Sequence, residues 1–224
     1  MTKVLDHGSV VLEDSMGDDL SVVNSARVSF AKQSMLMTEA DERLIGFLMK
    51  GRHGTPFEHN SFKFRVKAPI FVMREWIRHR IGSFNEWSGR YSELEPVWYV
   101  PEPESVRSQV GKPGAYTFEP MEEKDAGLAR LLIDSSAQDS YAAYKGMLGF
   151  GVAKEVARMV LPLSIYTEFI WTVNARSLMN FLSLRNSEHA QLEIRKYAEA
   201  VEDYWAIEMP LTHRVFEENG RIAP

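Results

Sequence analysis

The chain contains no cysteine among its 224 residues. That excludes disulfides, thiolate metal sites and any mechanism that begins with a thiol nucleophile. It has no uninterrupted apolar run long enough to span a bilayer. Its first residues, MTKVLDHGSVVLED, carry acidic side chains and lack the apolar core of a signal peptide, so the expectation is a cytoplasmic protein. An excess of positive charge is also missing. The formal net charge is −5 and the sequence pI is about 5.7, which argues against a general nucleic-acid binder. What remains is an ordinary globular composition, 45% hydrophobic and 25% charged, at a length that suggests one domain spanning residues 1–224.

Against this acidic background one stretch is strongly basic: Arg78-His79-Arg80, seven further residues, then Ser88-Gly89-Arg90. Three arginines, a histidine, two serines and an asparagine share a segment with almost no aliphatic content. Such a segment cannot build a core. Guanidinium groups make bidentate, charge-assisted hydrogen bonds to phosphates and planar oxyanions, so the stretch points to a small anionic ligand.

The rest of the chain reads as a mixture of helices and strands. Asp18 and Asp19 mark a helix start, and Thr38 with Asp41 forms a capping-box pattern ahead of a helix ending near Gly51. Ser61 to Lys67 alternates as a half-buried strand. Pro69 stands in the first turn of a helix whose inward positions are Ile70, Met73 and Ile77. Arg78 to Arg80 then fall at its C-terminal end, and Ile81 to Tyr91 form the following loop. Val97 to Val100 is a candidate short strand. Pro101 to Pro120, rich in Pro, Gly and Ser, is the candidate mobile excursion. Pro120 to Leu148 predicts one long helix with Leu128, Leu131, Leu132 and Met147 facing inward, and Val152 to Val160 a short one stopped by Pro162. Ile165 to Val173 is β-rich, Asn174 is an N-cap for a helix to about Leu184, and Ser187 caps a long helix running towards Pro210. The pattern is α+β: a small, mainly antiparallel sheet flanked by long helices.

The spacing R-H-R-x7-S-x-R, complete at Arg78, His79, Arg80, Ser88 and Arg90, resembles the signature of flavin-dependent thymidylate synthases. Two further segments resemble that family in the same order. His53-Gly54-Thr55-Pro56-Phe57-Glu58-His59 is similar to its flavin-contacting segment, and Trp171 to Arg185 to its C-terminal ligand segment. The resemblance implies reductive methylation of dUMP to dTMP, with 5,10-methylene-tetrahydrofolate as carbon donor and NADPH-reduced FAD as hydride donor. It further implies a homotetramer with FAD at the subunit interfaces, no metal, no nucleic-acid partner and no membrane.

By the same resemblance, FAD contacts fall on Thr55, Arg78, His79, Arg80, Glu86, Asn174, Ala175, Arg176 and Asn180. Nucleotide contacts fall on Glu75, Trp76, Ile77, Arg78, Glu86, Trp87, Ser88, Gly89, Arg90, Arg158 and Arg185. Arg185 is the implied catalytic residue, a cation that favours ionisation of the uracil ring, and His53 has an implied role with folate or a proton. Glu75 departs from the family pattern, which has glutamine there, and an ionised carboxylate cannot donate the amide hydrogen bond. Two other readings stay open at this point: a flavin-dependent methylase of another pyrimidine nucleotide, and a non-catalytic nucleotide-binding module.

Overall fold

In a computed structural model, which describes residues 1–113 and 115–224, the elements follow in this order. β1 (Thr2–Val4) and β2 (Gly8–Met16) precede α1 (Asp19–Arg27) and α2 (Glu39–Lys50). β3 (Ser61–Pro69), α3 (Ile70–Trp76) and β4 (Ser83–Glu86) come next. The hairpin β5 (Arg107–Lys112) and β6 (Ala115–Pro120) leads to α4 (Glu123–Gly149) and α5 (Lys154–Ala157). β7 (Tyr166–Val173) is followed by α6 (Ala175–Arg185), α7 (Leu192–Glu208) and α8 (Pro210–Glu218). The main sheet has the order β1-β2-β3-β7-β4. The pairs β1–β2, β2–β3 and β4–β7 are antiparallel. The expected α+β class is therefore present.

The chain divides into two compact units. The first comprises residues 1–67, 72–86 and 168–224, and the second residues 68–71 and 87–167. In the first unit, the alternation of β3 buries Phe62, Phe64 and Val66 and leaves Lys63 and Arg65 outward. Trp76, fully buried at the end of α3, is the aromatic hub. Its ring meets Phe169 and Trp171 edge-on, both at 5.3 Å between centroids. It stacks on Phe181 at 4.8 Å and meets Tyr197 at 6.1 Å. Edge-to-face and offset contacts of this kind add to plain area burial because the ring quadrupoles are complementary. Tyr197 also donates from its hydroxyl to the Lys67 carbonyl at 2.8 Å. Gly8 lies so close beneath that hydroxyl that a Cβ there would come within 1.9 Å of it.

The local capping signals hold. Asp18 and Thr38 each complete a capping box with Ser21 and Asp41, satisfying orphan amides of the first turn. Asp19 does a second task. Its buried carboxylate accepts from the Leu211 and Thr212 amides at 2.9 and 2.8 Å, capping α8 from a distant part of the chain. Glu202 on α7 is held by His213 at 2.9 Å and by Arg221 and Asn186 at 2.5 Å each. These donors hold its carboxyl down at about 2 despite its burial. The tail is also tied to α6, because Ser183 Oγ donates to the Arg221 carbonyl at 2.5 Å.

In the second unit, Tyr144 and Tyr141 of α4 bind the Leu94 amide and carbonyl, and Trp98 donates to Asp134 at 2.8 Å. Residues 97–100 form a single bridge, Trp98 to Ile165, rather than a strand. The range 101–120 holds the β5–β6 hairpin, most of whose residues are exposed. Residue 114 of that range lies outside the described residues.

Four expectations are corrected. The inward face of α3 is Val72, Met73 and Trp76, while Ile77 is 48% exposed; the large indole takes the core position and rotates the stripe. Within 81–91, residues Ser83–Glu86 pair with β7 instead of looping, because Phe84 packs on Phe169 and Trp171. α4 buries the small Ala126 and Ala137 with Tyr144, and turns Leu128, Leu131 and Leu132 outward. α7 begins at Leu192 and not after Ser187, and a separate helix, α8, opens at Pro210. Proline is tolerated at a first helical position because its missing N–H is an orphan there anyway.

Truncating the hub tests this account. Trp76→Ala should cost about 3–5 kcal/mol of unfolding free energy, read as a lowered urea midpoint. A loss below about 1 kcal/mol would show that the cluster is not what holds α3 in place.

Candidate active site

Arg78, His79 and Arg80 leave the end of α3 as a turn, with the His79 amide bonded to the Trp76 carbonyl at 3.0 Å. Together with α6 they line a cavity of about 510 Å³, whose wall also includes Glu58, Ile81, Arg176, Ser177, Asn180, Leu184, Arg185, Ala223 and Pro224. Four arginines and one glutamate are among these lining residues. That volume falls in the range of small-molecule sites, and the donor set suits an anionic, planar ligand.

α6 supplies its share through helical spacing. Arg176 and Asn180 are four residues apart and so share one face, while Leu178, Met179, Phe181 and Leu182 fill the core behind them. The helix starts where the sequence indicates. Asn174 Oδ1 accepts from the Ser177 amide at 2.9 Å, and the buried Asn60 Oδ1 accepts from the Ala175 amide at 2.7 Å. Arg176 is held by Glu58 at 2.5 Å and by the Pro224 carbonyl at 3.0 Å. Its guanidinium lies over Gly54, where a Cβ would come within 2.4 Å of Nε. Only glycine allows that approach.

Arg185, at the last turn of α6, lines this cavity and a second one of about 500 Å³ formed with Glu75, Ser183, Leu184, Ser187, His189, Ala190 and Gln191. Its guanidinium is engaged at every nitrogen. Nη1 donates to Glu75 Oε2 at 2.8 Å, Nη2 to the Glu75 carbonyl at 3.2 Å, and Nε to His79 Nε2 at 3.0 Å. His79 accepts only as a neutral imidazole with its proton on Nδ1. Burial, reinforced by the adjacent Arg185 charge, keeps it neutral by lowering its pKa to about 4. Burial also raises the pKa of Glu75. Arg185 opposes that shift, and the Glu193 charge adds to it.

The structure therefore brings Arg78, His79, Arg80, Arg176, Asn180 and Arg185 together around one cavity. Other expected contacts do not line it. Thr55 is exposed at the start of a 3-10 turn, and Ala175 is fully buried. Asn174 spends its Oδ1 as the helix cap. Glu86 is exposed at the end of β4. The Trp76 side chain belongs to the core, and Ile77 points outward. His53 stacks on Phe47 at 5.4 Å.

In the second unit, Gly89 and Arg158 are neighbours, since a Cβ on Gly89 would stand 3.4 Å from Arg158 Cδ. Ser88 anchors the turn through its carbonyl, which accepts from the Tyr91 and Ser92 amides at 3.0 Å each. Arg90 lies over the Tyr91 ring at 5.1 Å. Trp87 is half-buried.

Glu58 and Ser177 were missed as lining residues, although both lie inside segments whose resemblance is visible. Ala223 and Pro224 carry no sequence signal at all. The acidic and histidine side chains at Glu202, His213 and Glu217 lie close enough to hold a cation, but Arg221 and Asn186 already satisfy Glu202.

One consequence is measurable. In an imidazole NMR titration His79 should stay neutral until about pH 4. Because its folded pKa is depressed, the unfolded chain takes up the proton first. This group therefore removes stability as pH falls from about 6.5 towards 4. A midpoint near 6.5 would contradict the buried His79–Arg185 contact.

Comparisons with known proteins agree with this geometry. A family described as thymidylate synthase complementing protein (Thy1) matches residues 11–211. A flavin-dependent thymidylate synthase from Thermosipho africanus is 50% identical over 214 residues, covering 96% of this chain and 92% of the relative. One from Tropheryma whipplei is 45% identical over 227 residues, covering 96% and 95%. Among solved structures, the UMP/dUMP methylase PolB from Streptomyces cacaoi is 40% identical. It superposes with a TM-score of 0.90 when bound to 5-Br UMP, covering 99% of each chain, and 0.91 when bound to 5-Br dUMP, covering 100% of each. With the arginine-lined cavity and the family match extending over nearly the whole sequence, the chain belongs to the thymidylate synthase complementing protein family, whose curated relatives are flavin-dependent thymidylate synthases.

Proposed function

We propose that the protein makes dTMP by reductive methylation of dUMP, with 5,10-methylene-tetrahydrofolate as carbon donor and NADPH as the source of reducing equivalents through bound FAD. The observation that carries this reading is the convergence of Arg78, His79, Arg80, Arg176, Asn180 and Arg185 on one cavity. These side chains fit a flavin nucleotide, whose pyrophosphate needs cations and whose ring needs amide and imidazole partners. When bound there, the flavin supplies the hydride.

The chain's own residues do the rest. Ser88, Gly89 and Arg90 with Arg158 hold the nucleotide phosphate. Arg185 places a fixed positive charge at the uracil, favouring loss of the ring N3 proton and making carbon 5 a better nucleophile. A chain with no cysteine needs activation of this kind, since no thiolate is available to add to the ring. Neutral His79 steers Arg185 without adding a competing charge.

Assembly is part of the same reading. α4 exposes Leu128, Leu131 and Leu132, at 54%, 62% and 60%, in the i, i+3, i+4 pattern of a packing face. Such a stripe marks an interface, and the proposed assembly is a homotetramer with FAD at subunit boundaries. Among the described residues no helix is long and apolar enough to cross a membrane, and the proposed location is the cytoplasm.

The solved PolB structures favour one alternative, a methylase that also accepts UMP. Identity argues for dUMP: the curated thymidylate synthases are 45–50% identical, against 40% for that methylase.

Tritium release from dUMP labelled at ring carbon 5 should require FAD, NADPH and methylene-tetrahydrofolate together, and Arg185→Ala should lower it by about a hundredfold or more. Equal turnover of UMP would transfer the assignment to the alternative. The assembly is checked by light scattering: the native protein should have four times the chain mass, and Leu131→Glu with Leu132→Glu should reduce both mass and FAD content. A monomer that stays yellow and active would refute the shared site.

A further inference from the structure

The geometry points to Glu75 as the positioning residue for Arg185, gripping its guanidinium from the second cavity while His79 grips it from the first. The inference rests on the reading of Arg185 as the uracil-facing cation. By resemblance, position 75 contacts the nucleotide directly. Here the side chain is turned elsewhere. Its carboxylate accepts from Arg185 Nη1 at 2.8 Å, and its own carbonyl accepts from Nη2 at 3.2 Å.

Two bonds from one residue fix both the distance and the plane of the guanidinium, as a single point contact would not. Both side chains are mostly covered, 28% exposed for Glu75 and 21% for Arg185, so the pair is shielded from the solvent that weakens surface ion pairs. The hydrogen-bond count leaves Arg185 usable. A guanidinium has five N–H donors, Glu75 and His79 take three, and two remain for a ligand.

Direct contact of Glu75 with the nucleotide is the poorer account. An ionised carboxylate offers no donor to a uracil or phosphate oxygen. Placed against an anion it would repel, and Glu193 already adds negative charge nearby. A glutamine at this position could hand its amide to the nucleotide; the glutamate of this chain acts through the arginine instead.

A double-mutant cycle on the FAD-loaded full-length protein decides the matter. It compares Glu75→Ala, Glu75→Gln, Arg185→Ala and Glu75→Ala/Arg185→Ala, with dUMP affinity by calorimetry and turnover by tritium release. Glu75→Ala should lower kcat/KM about tenfold to a hundredfold, the range for losing a hydrogen bond to a charged group. In the Arg185→Ala background it should change nothing beyond about twofold. Glu75→Gln keeps an acceptor for Nη1 and should recover most of the loss, with a melting temperature close to that of the parent. An equal effect of Glu75→Ala with and without Arg185 would overturn the proposal in favour of direct contact. Glu75→Gln as damaging as Glu75→Ala, in folded protein, would overturn it in favour of a pure charge effect.

If the parent protein neither binds nor methylates dUMP, the functional reading fails by itself. The grip is then read from the Arg185 Nη–H resonances, whose hydrogens Glu75 receives. Their exchange with water should accelerate in Glu75→Ala, and unchanged exchange would again overturn the proposal.

Discussion

The seating of Trp76 is the constraint on which the site depends. Its indole is surrounded by Phe169 and Trp171 of β7, Phe181 of α6 and Tyr197 of α7. It is therefore the point at which the sheet and two helices fix the end of α3. Its immediate neighbours in sequence are the chemistry. Glu75 precedes it, and Arg78, His79 and Arg80 follow within four residues. A residue that cannot rotate without opening a core of aromatic rings imposes its direction on those neighbours. Phe181 extends the constraint, since it stacks on Trp76 and also meets the His79 ring edge-on at 5.0 Å. The same ring that belongs to the core thus orients the imidazole that receives Arg185.

The electrostatics follow from that rigidity. Four arginines around one cavity repel one another, and among the described residues Glu58 is the one acidic side chain lining it. Such an arrangement is costly without an anion, and part of the donor set is satisfied from within. Arg176 takes Glu58 and the Pro224 carbonyl; Arg185 takes Glu75 and His79. His79 can act as an acceptor only because burial and the neighbouring cation keep it unprotonated. A histidine between arginines would otherwise be a fifth positive group. Its identity as neutral acceptor is set by packing, not by the sequence motif that surrounds it.

Much of the fold was legible because its signals are local. The helix start at Asp18, the capping box at Thr38, the alternation of Phe62, Phe64 and Val66, and the Asn174 cap are all decided within four or five residues. The misreadings share a cause. Leu128, Leu131 and Leu132 form a helical apolar stripe, and periodicity alone does not say whether such a stripe faces the chain's own core or another surface. Ile77 satisfies the helical spacing with Ile70 and Met73, but the larger Trp76 takes the interior. β4 was invisible because its four residues include only one apolar side chain, Phe84, and its place in the sheet is fixed by pairing with β7 far along the chain. For the site, the residue types and their grouping were readable from three segments. The contacts among them were not: nothing in the sequence indicates that Glu75 faces Arg185, or that the tail returns to Arg176.

The pairing of Glu75 with Arg185 sets a balance between two effects of opposite sign. A guanidinium held about 4 Å from an ionising ring, at an effective dielectric near 20, favours the ring anion by about 4 kcal/mol, or roughly three pKa units. That effect is available only while the cation stays put, and a free arginine spreads over many rotamers. A carboxylate is the strongest holder that the twenty side chains offer, yet its own charge subtracts from the field it secures. The subtraction is limited by distance and direction, because the carboxylate sits on the far side of the guanidinium, in the second cavity, while His79 holds the first with no charge at all. A neutral acceptor on the side of the first cavity and a charged one in the second hold the cation in place from both sides.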